Sequence, residues 1–240
     1  MSLAQQRILI IGGSNGMGLA AARQLAAMQA EVLIVGRTQE KLDQALCSIE
    51  GRASGYVADF TDAEALNALF QRIGHIDHLV LAASAHAAWG PFSSITASML
   101  RSTLEGKLLG YWQALQAALP HLRRDGSVVM LSGAASRTAM PGTAGLAAVN
   151  GAITQMAQTL ARELAPLRVN VVSPGLVDTP AYDALPADAK AGMFAGAAKS
   201  LPVGRTGTSE DIAQAIVYLL ANGFTTGAVL DVDGGARMAL

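Results

Sequence analysis

The sequence predicts a single α/β domain: a Rossmann fold with one doubly wound, seven-stranded parallel sheet and helices on both faces. Three observations carry this expectation. Seven short apolar runs, near residues 8–12, 32–36, 55–58, 78–83, 127–132, 169–173 and 228–232, alternate with helix-length stretches rich in Ala, Leu and Gln. Runs such as Ile8-Leu9-Ile10-Ile11 and Val32-Leu33-Ile34-Val35 are apolar without alternation, as strands covered on both faces are. Glycines gather immediately after the first run, in Gly12-Gly13-Ser14-Asn15-Gly16-Met17-Gly18, where a strand has to turn into a helix.

The glycine turn is the first element with chemical content. A strand that breaks into glycines and reopens as a helix makes a dinucleotide cradle, because the pyrophosphate lies on backbone N–H groups at the positive end of the helix. Gly12, Ser14, Asn15, Gly16, Met17 and Gly18 are the candidate residues of that cradle. The second strand ends in Gly36-Arg37-Thr38, facing the adenosine ribose of such a unit. A carboxylate there would bind a 2′-hydroxyl and repel a 2′-phosphate. This chain has no acid at that strand end. Arg37 is placed to fork onto the phosphate, with Ser14, Asn15 and Thr38 as neutral donors. A charge-assisted hydrogen bond contributes about 1.5–3 kcal/mol, so NADP(H) is expected to bind roughly ten- to a hundred-fold tighter than NAD(H).

Composition bounds the remaining possibilities. With 51% hydrophobic residues and a net charge of −1, the chain offers no electrostatic case for nucleic acid or a membrane surface. Its aromatic content of 5% is too thin for base-stacking platforms. There is no apolar run of 18 or more residues and no secretory pattern, and the lone Cys47 suits a reducing compartment, so a cytoplasmic location is expected. Cys47 reads as a small buried helix residue. His75, His78, His86 and His121 show no metal spacing, and no metal is expected. No linker or repeat divides the chain, which reads as one domain over 1–240.

The spacing Gly-x3-Gly-x-Gly resembles that of the short-chain dehydrogenase/reductase family, and the likeness runs from about residue 7 to 236. Ala58-Asp59-Phe60-Thr61-Asp62 is similar to the family's third-strand motif, which implies an adenine contact for Asp59 beside Phe60. Asn170-Val171-Val172-Ser173-Pro174-Gly175-Leu176-Val177-Asp178-Thr179 resembles the sixth-strand signature. There the resemblance places Pro174, Gly175 and Val177 against the nicotinamide and Thr179 on its carboxamide or a phosphate. Thr226 to Gly235 looks like the family's last strand. The family's mobile substrate lid falls on residues of about 180–200, with Met193 and Phe194. Where the family reads Asn-Asn-Ala-Gly after the fourth strand, this chain has Leu81-Ala82-Ala83-Ser84. Backbone at Ala82 and Ala83 still passes the adenosine ribose, but Leu81 cannot tie the central strands by a side-chain amide.

The family's chemistry uses a tyrosine, a lysine four residues later, a serine thirteen residues earlier and a helix asparagine. By alignment these positions fall on Leu146, Asn150, Gly133 and Lys107. All four differ, yet lysine and asparagine have exchanged places. The pocket is therefore expected to keep one ammonium, Lys107, and one amide, Asn150, with their positions reversed. Ser132 is the third catalytic candidate; Ser136 and Arg137 are further polar groups at the mouth of the fifth strand, and His86, in the loop after the fourth strand, is a titratable candidate near the substrate side. The resulting reading is an NADP(H)-binding oxidoreductase with a non-standard centre, acting on a small carbonyl or alcohol. The alternative is a nucleotide-binding pseudoenzyme that acts as sensor or scaffold. The long helix around 97–119 and the small-residue helix around 143–164 resemble the family's oligomer-forming pair, so a homo-oligomer, dimer or tetramer, is expected.

Overall fold

The structure is a computed structural model and describes residues 2–238. Its strands are β1 (Arg7–Ile11), β2 (Glu31–Gly36), β3 (Ala53–Val57), β4 (Ile76–Leu81), β5 (Leu122–Leu131), β6 (Arg168–Pro174) and β7 (Val229–Val232). They form one parallel sheet in the order β3-β2-β1-β4-β5-β6-β7. The strand order reverses between β1 and β4, and the crevice beyond their carboxyl ends is where ligands bind in such sheets. The seven expected strands are all present with ends displaced by one to a few residues. The largest difference is β5, which begins at Leu122 because Arg123, Arg124 and Asp125 extend it past the apolar stretch.

Helices α1 (Gly16–Ala27), α2 (Gln39–Cys47) and α8 (Ser209–Ala221) cover one face. On the other lie α3 (Ala63–Ile73), α5 (Gly110–Ala118) and α6 (Ala144–Glu163). Alternation along the strands sorts the core accordingly: Ile8, Ile10, Val129 and Leu131 pack under α1 and α8, while Leu9, Ile11, Val128 and Met130 pack under α3, α5 and α6. Arg168, buried at the start of β6, donates to the carbonyls of Leu219 and Leu220 at 2.8 Å and so closes the end of α8. No helix among the described residues is long and apolar enough to cross a membrane.

Two expectations need correction. Cys47 is exposed, because it is the last residue of the amphipathic α2, whose buried stripe is Leu42 and Ala45. The long helix expected over 97–119 is not uniform. It consists of α4 (Ala97–Thr103), a π-helical turn over Leu104–Leu109, and α5. Inside the π turn, a Cβ on Gly106 would lie 2.9 Å from the Ala85 Cβ, so glycine there lets the loop after β4 approach. A π turn shifts the helical register, and it buries Lys107 rather than leaving it outside.

Candidate active site

The crevice opens where the glycine turn meets β4. Gly12 has φ +86°, and a Cβ on it would lie 2.6 Å from the Ala83 nitrogen, so the turn and the end of β4 touch backbone to backbone. Asn15 precedes α1 without capping it by its side chain. The N–H groups of the first turn, at Gly16, Met17 and Gly18, are thus not taken by a side-chain cap of the chain's own. Across the crevice, a Cβ on Gly16 would lie 3.6 Å from Thr179, which brings the loop after β6 against the cradle. This arrangement of amides and close backbone fits a pyrophosphate.

The other candidate cofactor residues surround the same crevice. Ser14 sits beside the end of β2, its Oγ 3.0 Å from where a Cβ on Gly36 would be, so it neighbours exposed Arg37 and Thr38. Asp59 accepts from the Thr61 N–H at 3.0 Å and from the Thr61 hydroxyl at 2.7 Å. These bonds, and secondarily the Arg37 charge, hold its carboxyl below the usual aspartate value. Phe60 packs on Tyr111, with ring centroids 6.4 Å apart. The buried Tyr111 hydroxyl donates to the Ala83 carbonyl at 2.7 Å, and burial pushes its pKa well up. Tyr111 therefore anchors the strand end where Leu81 offers no polar group. It was not legible as an anchor, since its helix register depends on the π turn. Ala82 is held by its own N–H to the Ile11 carbonyl at 2.8 Å. At the far side, Pro174 ends β6, Gly175 donates to the Val232 carbonyl at 3.0 Å, and buried Val177 bridges to Gly207.

The three catalytic candidates meet directly. Lys107 is 7% exposed, and its Nζ donates to the Asn150 Oδ1 at 2.7 Å and the Ser132 carbonyl at 2.9 Å. Asn150 is itself 7% exposed and leans toward Gly133. A Cβ on Gly133 would lie 2.7 Å from the Asn150 Nδ2, so the amide fills space that only a glycine leaves open. Burial pushes the Lys107 ammonium down to about 7, and no other charge contributes to that shift. Ser132 takes part through its carbonyl, and its buried hydroxyl has no protein partner. Leu146 lies half-buried on the first turn of α6.

The remaining polar groups make local or surface contacts. The Ser136 hydroxyl donates to the Gly133 carbonyl at 2.9 Å, a local turn bond. Arg137 pairs with Asp231 on β7 at 3.1 Å, which makes it a tether of its loop. His86 stays solvent-exposed on the loop after β4; partial desolvation and, second, the Lys107 charge hold its imidazole below the ordinary histidine value. Residues 180–200, expected as a substrate lid, carry helix α7 (Ala187–Ser200). Lys190 on α7 bridges Asp178 and Asp183 at 2.9 Å each, and Tyr182 packs edge-on against Trp89 and Phe194 with centroids 6.1 and 5.5 Å apart. Nothing in the sequence pointed to the Lys190 ion pairs.

A parallel sheet that reverses between β1 and β4, with a glycine turn at the reversal, defines an α/β scaffold of the dinucleotide-binding type. The chain belongs to the short-chain dehydrogenase/reductase family: a family model described as enoyl-(acyl carrier protein) reductase matches residues 12–237. It is 30% identical to the cis-4-hydroxycyclohexanecarboxylate dehydrogenase of Sinomonas cyclohexanicum, with 98% of this chain and 97% of that protein covered. It is also 30% identical to the 3-oxoacyl-(acyl-carrier-protein) reductase of Thermotoga maritima, covering 98% and 99% of the two chains. Among solved structures it resembles a small-chain dehydrogenase in complex with NADPH, at 31% identity and a TM-score of 0.86, over 98% of this chain and all of that one.

Proposed function

We propose that the protein is an NADP(H)-dependent oxidoreductase of small carbonyl or alcohol substrates whose proton chemistry runs through Lys107 rather than a tyrosine. The buried Lys107–Asn150 hydrogen bond carries this reading. When bound, the dinucleotide supplies or accepts the hydride. Gly12, Ser14, Asn15, Gly16, Met17 and Gly18 cradle the pyrophosphate; Arg37 and Thr38 hold the 2′-phosphate. Asp59, Phe60, Ala82 and Ala83 flank the adenosine, and Pro174, Gly175, Val177 and Thr179 the nicotinamide. Lys107 holds the proton and gives it, directly or through one water, to the substrate oxygen. A group that titrates near 7 is matched to that task. Asn150 orients the ammonium from one side, the Ser132 carbonyl from the other, and the Asn150 amide is the group placed to hold the nicotinamide ribose. Leu146 cannot transfer a proton, which is why the reading turns on Lys107.

The test is the redox preference of binding. A cation about 4 Å from the oxidised ring is disfavoured by on the order of 4 kcal/mol at an effective dielectric near 20, before water and counter-charges reduce it. Fluorescence titrations are therefore expected to show NADPH bound tighter than NADP⁺, with the gap shrinking in Lys107→Met and any carbonyl turnover lost. If that substitution changes neither preference nor turnover, Lys107 is not in the chemistry and the nucleotide-binding pseudoenzyme is the better reading. Assembly as a cytoplasmic homo-oligomer, dimer or tetramer, belongs to the same proposal. Leu109 and Trp112, about half exposed along the π turn and α5, favour it. Light scattering should then report a mass well above the 24.7 kDa of one chain.

A further inference from the structure

Lys107 is a buried cation that no carboxylate among the described residues compensates. Its two hydrogen-bond partners, the Asn150 amide oxygen and the Ser132 carbonyl, are both neutral. An ammonium has three N–H groups, so one remains without a partner among the described residues. Buried charges in proteins are otherwise paired or neutralised, because desolvating an isolated ion is costly.

The surrounding unused hydrogen-bond capacity points the same way. With its oxygen committed to Lys107, Asn150 presents its Nδ2, which has two donors, on the side of Gly133. Ser132 is 6% exposed and Ser173 fully buried, and neither hydroxyl has a protein partner. These two serines are lateral neighbours. The β5–β6 register pairs Leu131 with Val172, and the Ser132 N–H continues the ladder to the Val172 carbonyl at 2.9 Å. Leu131 and Val172 pack toward α1 and α8; Met130 and Val171 pack toward α5 and α6. By alternation Ser132 and Ser173 share the second face, the one that holds Lys107 and Asn150. An ammonium N–H, an amide NH₂ and two hydroxyls thus lie on one face at the carboxyl ends of β5 and β6, with no acidic side chain among them.

We propose that this set of donors binds a carboxylate of the ligand, so that the substrate is a small oxo-acid or the corresponding hydroxy-acid. An anionic oxygen meets the amide and hydroxyl donors and supplies the missing counter-charge from beside the ammonium, whose third N–H is left for the reacting oxygen of the substrate, whereas a neutral ketone supplies only an acceptor. The substrate assignment rests on the oxidoreductase reading above; the anion site stands on the donor set itself. Carboxylate binding should weaken as the ammonium loses its proton. The groups that face Lys107 leave that titration simple. His86, on the loop after β4, is its one titratable neighbour there, while Arg101 and Glu105 on its own helix are exposed. On α6 the charged residues are Arg162 and Glu163, at the far end, and those of β5 and β6 lie at their opposite ends.

The experiment titrates NADPH-loaded protein with acetoacetate and 2-oxobutyrate, with their methyl esters, and with inorganic phosphate and chloride, by calorimetry. The free acids are expected to bind at least ten-fold tighter than the esters at pH 6.5, and to weaken by about ten-fold per pH unit above 7. Ser173→Ala should reduce the acid preference several-fold with Lys107 intact. Lys107→Met should abolish it while NADPH affinity is retained. Asn150→Asp, which builds the counter-charge into the chain, should abolish it too, so the result does not hang on one variant. Equal binding of acid and ester overturns the proposal, as does equal competition by phosphate and chloride, which would mark an adventitious ion only. Loss of NADPH binding in the wild type would instead overturn the dinucleotide reading, which the first titration reports separately.

Discussion

Gly133 and Asn150 should behave as one unit, and a double-mutant cycle measures how strongly. The Gly133 backbone is extended, at φ 169°, so alanine suits it conformationally. The obstacle is steric. The new Cβ would stand 2.7 Å from the Asn150 Nδ2 and 3.4 Å from its Cγ, and the amide must retreat by several tenths of an ångström. It cannot do so freely, because its oxygen is held at 2.7 Å by the Lys107 ammonium. Overpacking costs about 1–3 kcal/mol and a charge-assisted hydrogen bond is worth about 1.5–3 kcal/mol, so Gly133→Ala should destabilise by roughly 2–4 kcal/mol. In an Asn150→Ala background the clash disappears, and the same substitution should be neutral or stabilise by about 0.5 kcal/mol through the unfolded chain. Urea unfolding of the wild type, both single variants and the double variant gives the coupling directly. If the two substitutions add within about 0.5 kcal/mol, the amide is not wedged between Gly133 and Lys107 and the reasoning fails.

Two further outcomes follow from the same geometry. Lys107 titrates near 7 in the folded chain and at 10.5 when unfolded. Between those values the unfolded state binds more protons, so this residue's contribution to stability rises with pH, by up to about 1.4 kcal/mol per unit. The stability of the wild type relative to Lys107→Met, measured in a carboxylate-free buffer, should therefore climb by about 2–3 kcal/mol from pH 7 to 9; a pH-independent difference would contradict the burial of a titrating ammonium. Arg37→Ala should close most of a ten- to hundred-fold NADPH-over-NADH preference, read by parallel titrations, and equal affinities in the wild type would refute the 2′-phosphate role.

The seven strands and the glycine turn were legible because they depend on local signals. Unbroken apolar runs mark strands covered on both faces, and the glycines at 12, 16 and 18 mark the turn. The meeting of Lys107 with Asn150 was legible only through family register, since 43 positions separate them in the chain. What the sequence concealed follows from one irregularity. The π turn at Leu104–Leu109 changes the angular position of every later residue on that helix, so a uniform helical wheel misplaces Tyr111. The glycine at 106, inside the turn, lets the loop after β4 close in, and Tyr111 reaches the Ala83 carbonyl. Ser173 escaped notice for a different reason. Its role depends on lateral register with Ser132, which a one-dimensional motif does not encode.

These features bear on why single reversions should not recreate tyrosine-based chemistry here. Replacing Leu146 by tyrosine installs a phenol, but residue 150 carries a neutral amide and cannot lower the phenol pKa by charge. Replacing Asn150 by lysine would crowd the Gly133 side and set a second cation beside Lys107, with no acid among their neighbours to separate the charges. Replacing Gly133 by serine pushes the Asn150 amide from its place, as alanine does. The changes at 133 and 150 therefore each meet a clash or an uncompensated charge created by another of these positions, and the change at 146 lacks the cation it needs, so positions 133, 146 and 150 are predicted to change together with 107. Leu146→Tyr alone should leave carbonyl reduction at the wild-type level, and a large gain from that one substitution would show that Lys107 does not control proton transfer.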